Sequence, residues 1–143
     1  MRIAFGSDER TPLTDFVLDE LLSRGHDVRA VGAVVDEDKQ WAEVGREVGS
    51  LVARGEADSG VLFCWTGTGA SIAANKVRGV RAALCTDAPT AAGARRWNDA
   101  NVLVMSLRLA SPEVAREVLD AWFSTGVDPD EAANIARLEA PDS

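Results

Sequence analysis

Short apolar runs and longer amphipathic stretches take turns along this chain from its first residues. Arg2 to Gly6 is an apolar run. Thr11 and Pro12 then supply an N-cap and a first-turn proline for a helix in which Leu13, Phe16, Val17 and Leu21 recur with the helical period until Gly25 closes it. Asp27 to Val31 is a second run, ended by Gly32. After a loop holding Asp36, Glu37 and Asp38, Trp41, Val44, Val48, Leu51 and Val52 share one face of a second helix, stopped by Gly55. Val61 to Phe63 is a third run, halting at Cys64, and helix-forming residues follow from Ala70 to Ala74. Val80 to Cys85 predicts a fourth strand, Pro89 to Arg96 a short helix, and Val102 to Met105 a fifth strand. Pro112 to Phe123 predicts a helix with Val114, Val118 and Trp122 inward. Asp128, Pro129 and Glu131 then serve as N-cap, first-turn proline and N3 acid of a last helix to about Leu138, ahead of a polar Asp142-Ser143 end.

Strands alternating with helices predict an α/β fold: a five-stranded parallel sheet between two helical layers, an αβα sandwich with a C-terminal helix. Such sheets bind ligands beyond the carboxyl ends of their strands. Asp8, Cys64, Asp87 and Trp97-Asn98 are expected near that edge.

Composition narrows the function classes. With 143 residues and 46% hydrophobic content the chain suits one domain over residues 1–143, with a substantial core. A net charge of −8 without a basic run argues against nucleic acid as partner, and an anionic substrate would need a local positive site. No apolar segment approaches the ~20 residues of a membrane span, and the first residues enter a strand pattern directly, so a cytoplasmic location is expected. Cys64 and Cys85 lack metal-ligand spacing and lie in or at the end of apolar runs, which fits reduced thiols better than a disulfide. One histidine, His26, argues against a His-based metal centre, and we expect it to be solvent-exposed without a catalytic role.

The chemistry concentrates in residues 60–76, GVLFCWTGTGASIAANK. The pattern is strand, tight loop, helix: a thiol at a strand end, with glycines at 67 and 69 letting main-chain N–H groups converge where a helix dipole favours negative charge. A Walker loop would end in Gly-Lys-Ser/Thr, but the first lysine is Lys76. A cysteine phosphatase would need an arginine where Ala70 stands. A flavin phosphate loop remains a competitor through Thr66-Gly67-Thr68-Gly69, although it would follow the first strand rather than the third.

Together these segments resemble the ribose-5-phosphate isomerase B and galactose-6-phosphate isomerase family. The matched residues run from Ile3-Ala4 and Gly6-Ser7-Asp8 through Gly55-Glu56-Ala57-Asp58, Cys64, Thr66-Gly67, Gly69 and Ser71 to Lys76. They continue with Arg81 to Cys85, Asn98 to Leu103, and Asp120-Ala121-Trp122. The resemblance implies a Rossmann-like fold, aldose–ketose interconversion of a sugar or sugar phosphate, no cofactor or metal, and a homodimer or dimer of dimers whose active sites are shared between subunits. It further implies that Cys64 removes a proton beside a carbonyl and that Thr66 relays protons between substrate oxygens. The amides of Gly67, Thr68, Gly69 and Ala70 hold the enediolate, Asp8 and Asn98 contact the sugar, and Arg108 matches a family arginine.

The chain also departs from that family. Glu9 stands where a histidine follows the first-strand aspartate, Trp97 replaces the histidine assigned to ring opening, and Trp65 replaces a glycine. Of the C-terminal phosphate-binding arginines only Arg137 is a counterpart. Fewer cations and an added acid weaken capture of a cyclic sugar phosphate, while two indoles enlarge the apolar wall. The expected substrate is therefore an acyclic, differently substituted or unphosphorylated hydroxy-carbonyl compound. The alternative is a catalytically silent binding protein for a small metabolite. Cys85, inside an apolar run without a glycine loop, is expected to be core.

Overall fold

The computed structural model describes residues 1–139 and contains a parallel sheet in the order β2-β1-β3-β5-β4. The strands are β1 Arg2–Ser7, β2 Asp27–Gly32, β3 Ser59–Cys64, β4 Ala82–Leu84 and β5 Val102–Ser106. The helices are α1 Pro12–Ser23, α2 Trp41–Ala53, α3 Thr68–Asn75, α4 Ala88–Asn98, α5 Pro112–Ser124 and α6 Ala132–Leu138, with 3-10 turns at Ala33–Val35 and Pro129–Glu131. The predicted polar end, Asp142-Ser143, lies outside the described residues.

Strand periodicity builds two cores, one on each face of the sheet. Ile3, Phe5, Val61, Phe63, Leu103 and Met105 pack with residues of α1, α4 and α5. The intervening Ala4, Leu62, Cys64, Val102 and Val104 pack with residues of α2 and α3. Every residue of β3 is buried, as a central strand covered on both faces requires. In the register, Ser7 is level with Gly32 on one side and Phe63 on the other, and Cys64 is level with Ser106. The ends of β1, β3 and β5 are thereby brought side by side, with the path of the chain reversing between β1 and β3. This is the place where α/β sheets open a crevice.

The helix starts follow local capping chemistry. Thr11 and Thr14 exchange side-chain and main-chain hydrogen bonds in a reciprocal box, Asp87 accepts the Thr90 amide at 2.8 Å, and Ser111 accepts the Val114 amide at 3.2 Å.

The structure corrects several expectations. The fourth strand is three residues, Ala82–Leu84, rather than the run from Val80 to Cys85, although the Cys85 N–H still bonds to the Val104 carbonyl at 2.9 Å. The Asn75 amide both accepts the Ala82 N–H at 2.8 Å and donates to its carbonyl at 3.0 Å, while Asn101 Oδ1 accepts the Arg81 N–H at 2.7 Å. Helix α4 continues past Arg96 to Asn98 and ends at left-handed Asp99, whose carboxylate pairs with Arg81 and Arg95. Val114 faces inward as expected, half-buried against the core. His26 is half-buried too, 3.1 Å from the Met1 ammonium and with its ring centroid 4.6 Å from that of Phe123. The last helix begins only at Ala132, after the 3-10 turn that Asp128 caps.

Candidate active site

Cys64 ends the central strand and the following loop is clamped to the exit of β5. The Cys64 carbonyl accepts the Leu107 amide at 3.0 Å, and the Trp65 carbonyl accepts both the Arg108 amide at 3.1 Å and the Ser106 hydroxyl at 2.9 Å. Gly67 then turns the chain into α3 with φ +81°, and a Cβ there would lie 2.5 Å from Leu84 Cδ1, so both conformation and space require glycine. The thiol is nearly covered, 5% accessible, and packs with the α2 and α3 side of the core. It is not displayed on an open surface.

The start of α3 supplies main-chain donors. Ser71 is the first residue to return a hydrogen bond into the helix, to the Gly67 carbonyl at 3.1 Å, so the amides of residues 68–70 precede the ladder, and the N-cap Gly67 has no side chain to cap them. Thr66 and Thr68 join their hydroxyls at 2.8 Å on the exposed side of this turn, and Thr66 Oγ1 takes the Thr68 amide at 3.4 Å. A thiol, a hydroxyl pair and free N–H groups at a helix N-terminus thus share one loop, which suits proton removal next to an oxygen that becomes negative.

Asp8 and Glu9 leave β1 beside this loop, since Ser7 and Phe63 pair across the sheet. The Ser7 hydroxyl donates to the Glu9 carbonyl at 2.5 Å and accepts the Glu9 amide at 3.2 Å, which fixes the turn carrying Asp8. Asp8 Oδ1 is buried without a hydrogen-bond partner, and burial pushes its carboxyl above the usual range, with its own amide opposing and Glu9 adding to the shift. Arg108, exposed, has no ion-pair partner among the described residues and is the cation tied closest to the Cys64 loop by the main chain.

One neighbour of the site escaped the sequence pattern. Trp41, expected on the inward face of α2, is 45% exposed and lays its ring on the site loop: a Cβ on Gly69 would meet Trp41 Cε3 at 2.8 Å. Its place as the first residue of α2, next to the carboxyl edge, was the signal available.

Trp97 and Asn98 do not join Cys64 within one chain. Helix α4 starts at the carboxyl edge with Asp87 as its cap, and its eleven residues carry the chain back roughly 16 Å toward the amino edge. There Asn98 shares a cleft with Asn75, Arg81, Ala100 and Leu138. Trp97, 52% exposed, folds over Gly93 of its own helix, and Trp65 is 56% exposed. Arg137 belongs to α6 at the same far end, donating to Asn134 Oδ1 at 2.9 Å. Within one chain, Trp97, Asn98 and Arg137 therefore lie apart from the Cys64 loop. Asp87 is at the carboxyl edge as expected, occupied as a helix cap. Cys85 is core, its thiol pushed up to about 12 by burial first and by Asp87 second.

Among the described residues no three His, Cys, Asp or Glu side chains gather as a metal site, and no helix is long and apolar enough to cross a membrane.

Comparisons with known proteins agree with this geometry. The family model for ribose/galactose isomerases matches residues 3–140. The chain is 36% identical over 140 residues to ribose-5-phosphate isomerase B of Escherichia coli, covering 97% of this chain and 93% of that one. It is also 36% identical over 124 residues to D-erythrulose-4-phosphate isomerase 2 of Mycolicibacterium smegmatis, covering 87% and 80%. The solved structure of Clostridium thermocellum ribose-5-phosphate isomerase B superposes with a TM-score of 0.90 at 34% identity, covering 97% of this chain and 95% of that one. With the family model matching residues 3–140 and these relatives aligned over most of their length, this chain belongs to the ribose/galactose isomerase family.

Proposed function

We propose that this aldose–ketose isomerase acts on a sugar phosphate that cannot close into a ring, a four-carbon ketose 4-phosphate being the best fit. Cys64 Sγ takes the proton from the carbon beside the carbonyl. The enediolate oxygen is held by the amides of Gly67, Thr68, Gly69 and Ala70, and the Thr66 hydroxyl carries a proton from one oxygen to the other. The thiol then returns its proton to the former carbonyl carbon, so both groups are regenerated. Arg108 offers the phosphate a cation, and Trp97, Asn98 and Arg137 of the partner subunit close the far side in a homodimer.

The observation that carries the substrate class is Trp97, an indole with no proton to exchange where a ring opener is expected. A tetrulose 4-phosphate needs none: its O4 is esterified, and no remaining hydroxyl can form a five-membered ring with C2. A relative of comparable identity is named for D-erythrulose 4-phosphate. The same reading accounts for Glu9 and the scarcity of arginines, since a shorter substrate reaches fewer of them.

The test is a substrate panel of D-erythrulose 4-phosphate, unphosphorylated erythrulose, ribose 5-phosphate and ribulose 5-phosphate, read by isomer formation and by solvent-hydrogen exchange. We expect kcat/KM for the tetrulose phosphate to exceed that for ribose 5-phosphate by about 100-fold, the scale lost with one acid–base group. Equal or better turnover of ribose 5-phosphate contradicts the substrate assignment.

A further inference from the structure

The turn that ends α4 is held by one guanidinium. Arg81 stands just ahead of β4, and its main chain is fixed from the start of β5: Asn101 Oδ1 accepts the Arg81 N–H at 2.7 Å, and the Arg81 carbonyl accepts the Asn101 N–H at 2.9 Å. From that anchor the side chain reaches the residue that follows Asn98. Its Nε donates to the Asp99 carbonyl at 2.7 Å and its Nη2 to Asp99 Oδ2 at 3.4 Å, while Nη1 donates to Glu139 Oε1, just past α6, at 2.9 Å. Arg95, one turn back on α4, donates to the other Asp99 carboxylate oxygen at 3.0 Å.

This grip falls on an unusual stretch of backbone. Asp99 has φ +46°, a left-handed conformation that residues with side chains keep where their surroundings hold them. A carbonyl and a carboxylate bonded by the same rigid fork fix the Asp99 turn, and with it the end of the helix at Asn98. Asn98 is exposed, its carboxamide has no hydrogen-bond partner among the described residues, and it shares a cleft of about 420 Å³ with Arg81, Asn75 and Leu138. The guanidinium is not free to take a substrate anion itself. Its side chain is 19% accessible, and its charge is met by the carboxylates of Asp99 and Glu139.

We propose that Arg81 is a positioning residue of the isomerase: without touching substrate, it locks the Asp99 turn and so fixes where Asn98 presents its carboxamide to the sugar. This rests on the reading in which Asn98 serves the Cys64 loop of a second chain. Lysine cannot replace it, because an ammonium is a point charge on a flexible stem and does not serve the Asp99 carbonyl, the Asp99 carboxylate and Glu139 together. A role in charge balance alone would be met by lysine.

Steady-state kinetics of Arg81→Lys, Asn98→Ala and the double variant, on the full-length protein and whichever sugar of the panel the wild type turns over best, test this beside crystal structures of wild type and Arg81→Lys. Arg81→Lys should lose about tenfold to 100-fold in kcat/KM, the scale of a misplaced contact. Added to Asn98→Ala, it should change kcat/KM by no more than about twofold, because both remove one contact, whereas a general weakening of the fold multiplies the losses. Asp99→Ala, which removes the other side of the grip, should follow the same pattern. In the crystal, Arg81→Lys should show Asn98 displaced and the sheet unchanged. Arg81→Lys as active as wild type, losses that multiply, or an Asn98 that keeps its place overturns the proposal, and the last needs no turnover to be seen. Asn98→Ala as active as wild type would instead overturn the reading of Asn98 on which the proposal rests, so the two failures are told apart.

Discussion

The ring of Trp41 fills the space beside Gly69, so that a methyl group on Gly69 would stand 2.8 and 2.9 Å from Trp41 Cε3 and Cζ3. Two residues far apart in sequence thus hold the loop that supplies the N–H groups of the site. Gly69→Ala should cost roughly 1–3 kcal/mol by overpacking and lower kcat by displacing the loop. Adding Trp41→Ala should recover most of that stability, because the clash and the deletion share one space. Urea unfolding of both single variants and the double one checks this, and simple additivity would show that the contact does not couple them.

On the proposed mechanism, Trp97 and Asn98, at the amino edge of their own chain, serve the Cys64 loop of a second chain. A Cys64→Ala dimer and an Asn98→Ala dimer should each be nearly inactive. Mixed, unfolded and refolded together in equal amounts, they should recover about a quarter of wild-type activity, since half the dimers are hybrids and each hybrid holds one intact site. No recovery would mean that Asn98 serves its own chain or none.

Acid should weaken the fold through Asp58. The Arg2 guanidinium first, and the Arg2 amide second, hold its carboxyl down to about 2, below its ordinary 3.8. A depressed acid contributes its stability fully above the unfolded value and loses it as pH falls through the folded one. The contribution should therefore fade between about pH 4 and pH 2. The urea midpoint of Asp58→Asn should lie below that of wild type at pH 6 and merge with it near pH 2. A constant gap would contradict the assignment.

Cys85 should be chemically silent. With its thiol pushed up to about 12 by burial and Asp87, iodoacetamide at pH 8 should leave it unmodified in the folded protein and label it after denaturation. Mass mapping of the modified residues decides this, and rapid native labelling of Cys85 would show that its packing opens.

The alternation of periods two and 3.6 made the sheet, its helices and the cysteine loop legible in the sequence, because each needs only local residues. Side chains that pair with main-chain groups were not legible: Asn75 takes the N–H and C=O of Ala82, and Asn101 takes the N–H of Arg81 just before β4. The direction of α4 mattered more: a helix between two parallel strands runs back from the carboxyl to the amino edge, so Trp97 and Asn98, at its end before left-handed Asp99, belong to the amino edge. Trp41 counts as apolar in any periodicity, yet its ring covers Gly69, a contact that only tertiary packing creates.

The most direct test of Cys64 as the proton carrier is solvent deuterium entering C1 or C2 during turnover of D-erythrulose 4-phosphate, compared between wild type and Cys64→Ala. The variant should bind substrate with affinity within a few-fold of wild type, by calorimetry, and lose exchange by about 100-fold to 10,000-fold, the range for a positioned base. Exchange by Cys64→Ala at the wild-type rate would place the base elsewhere and contradict the mechanism.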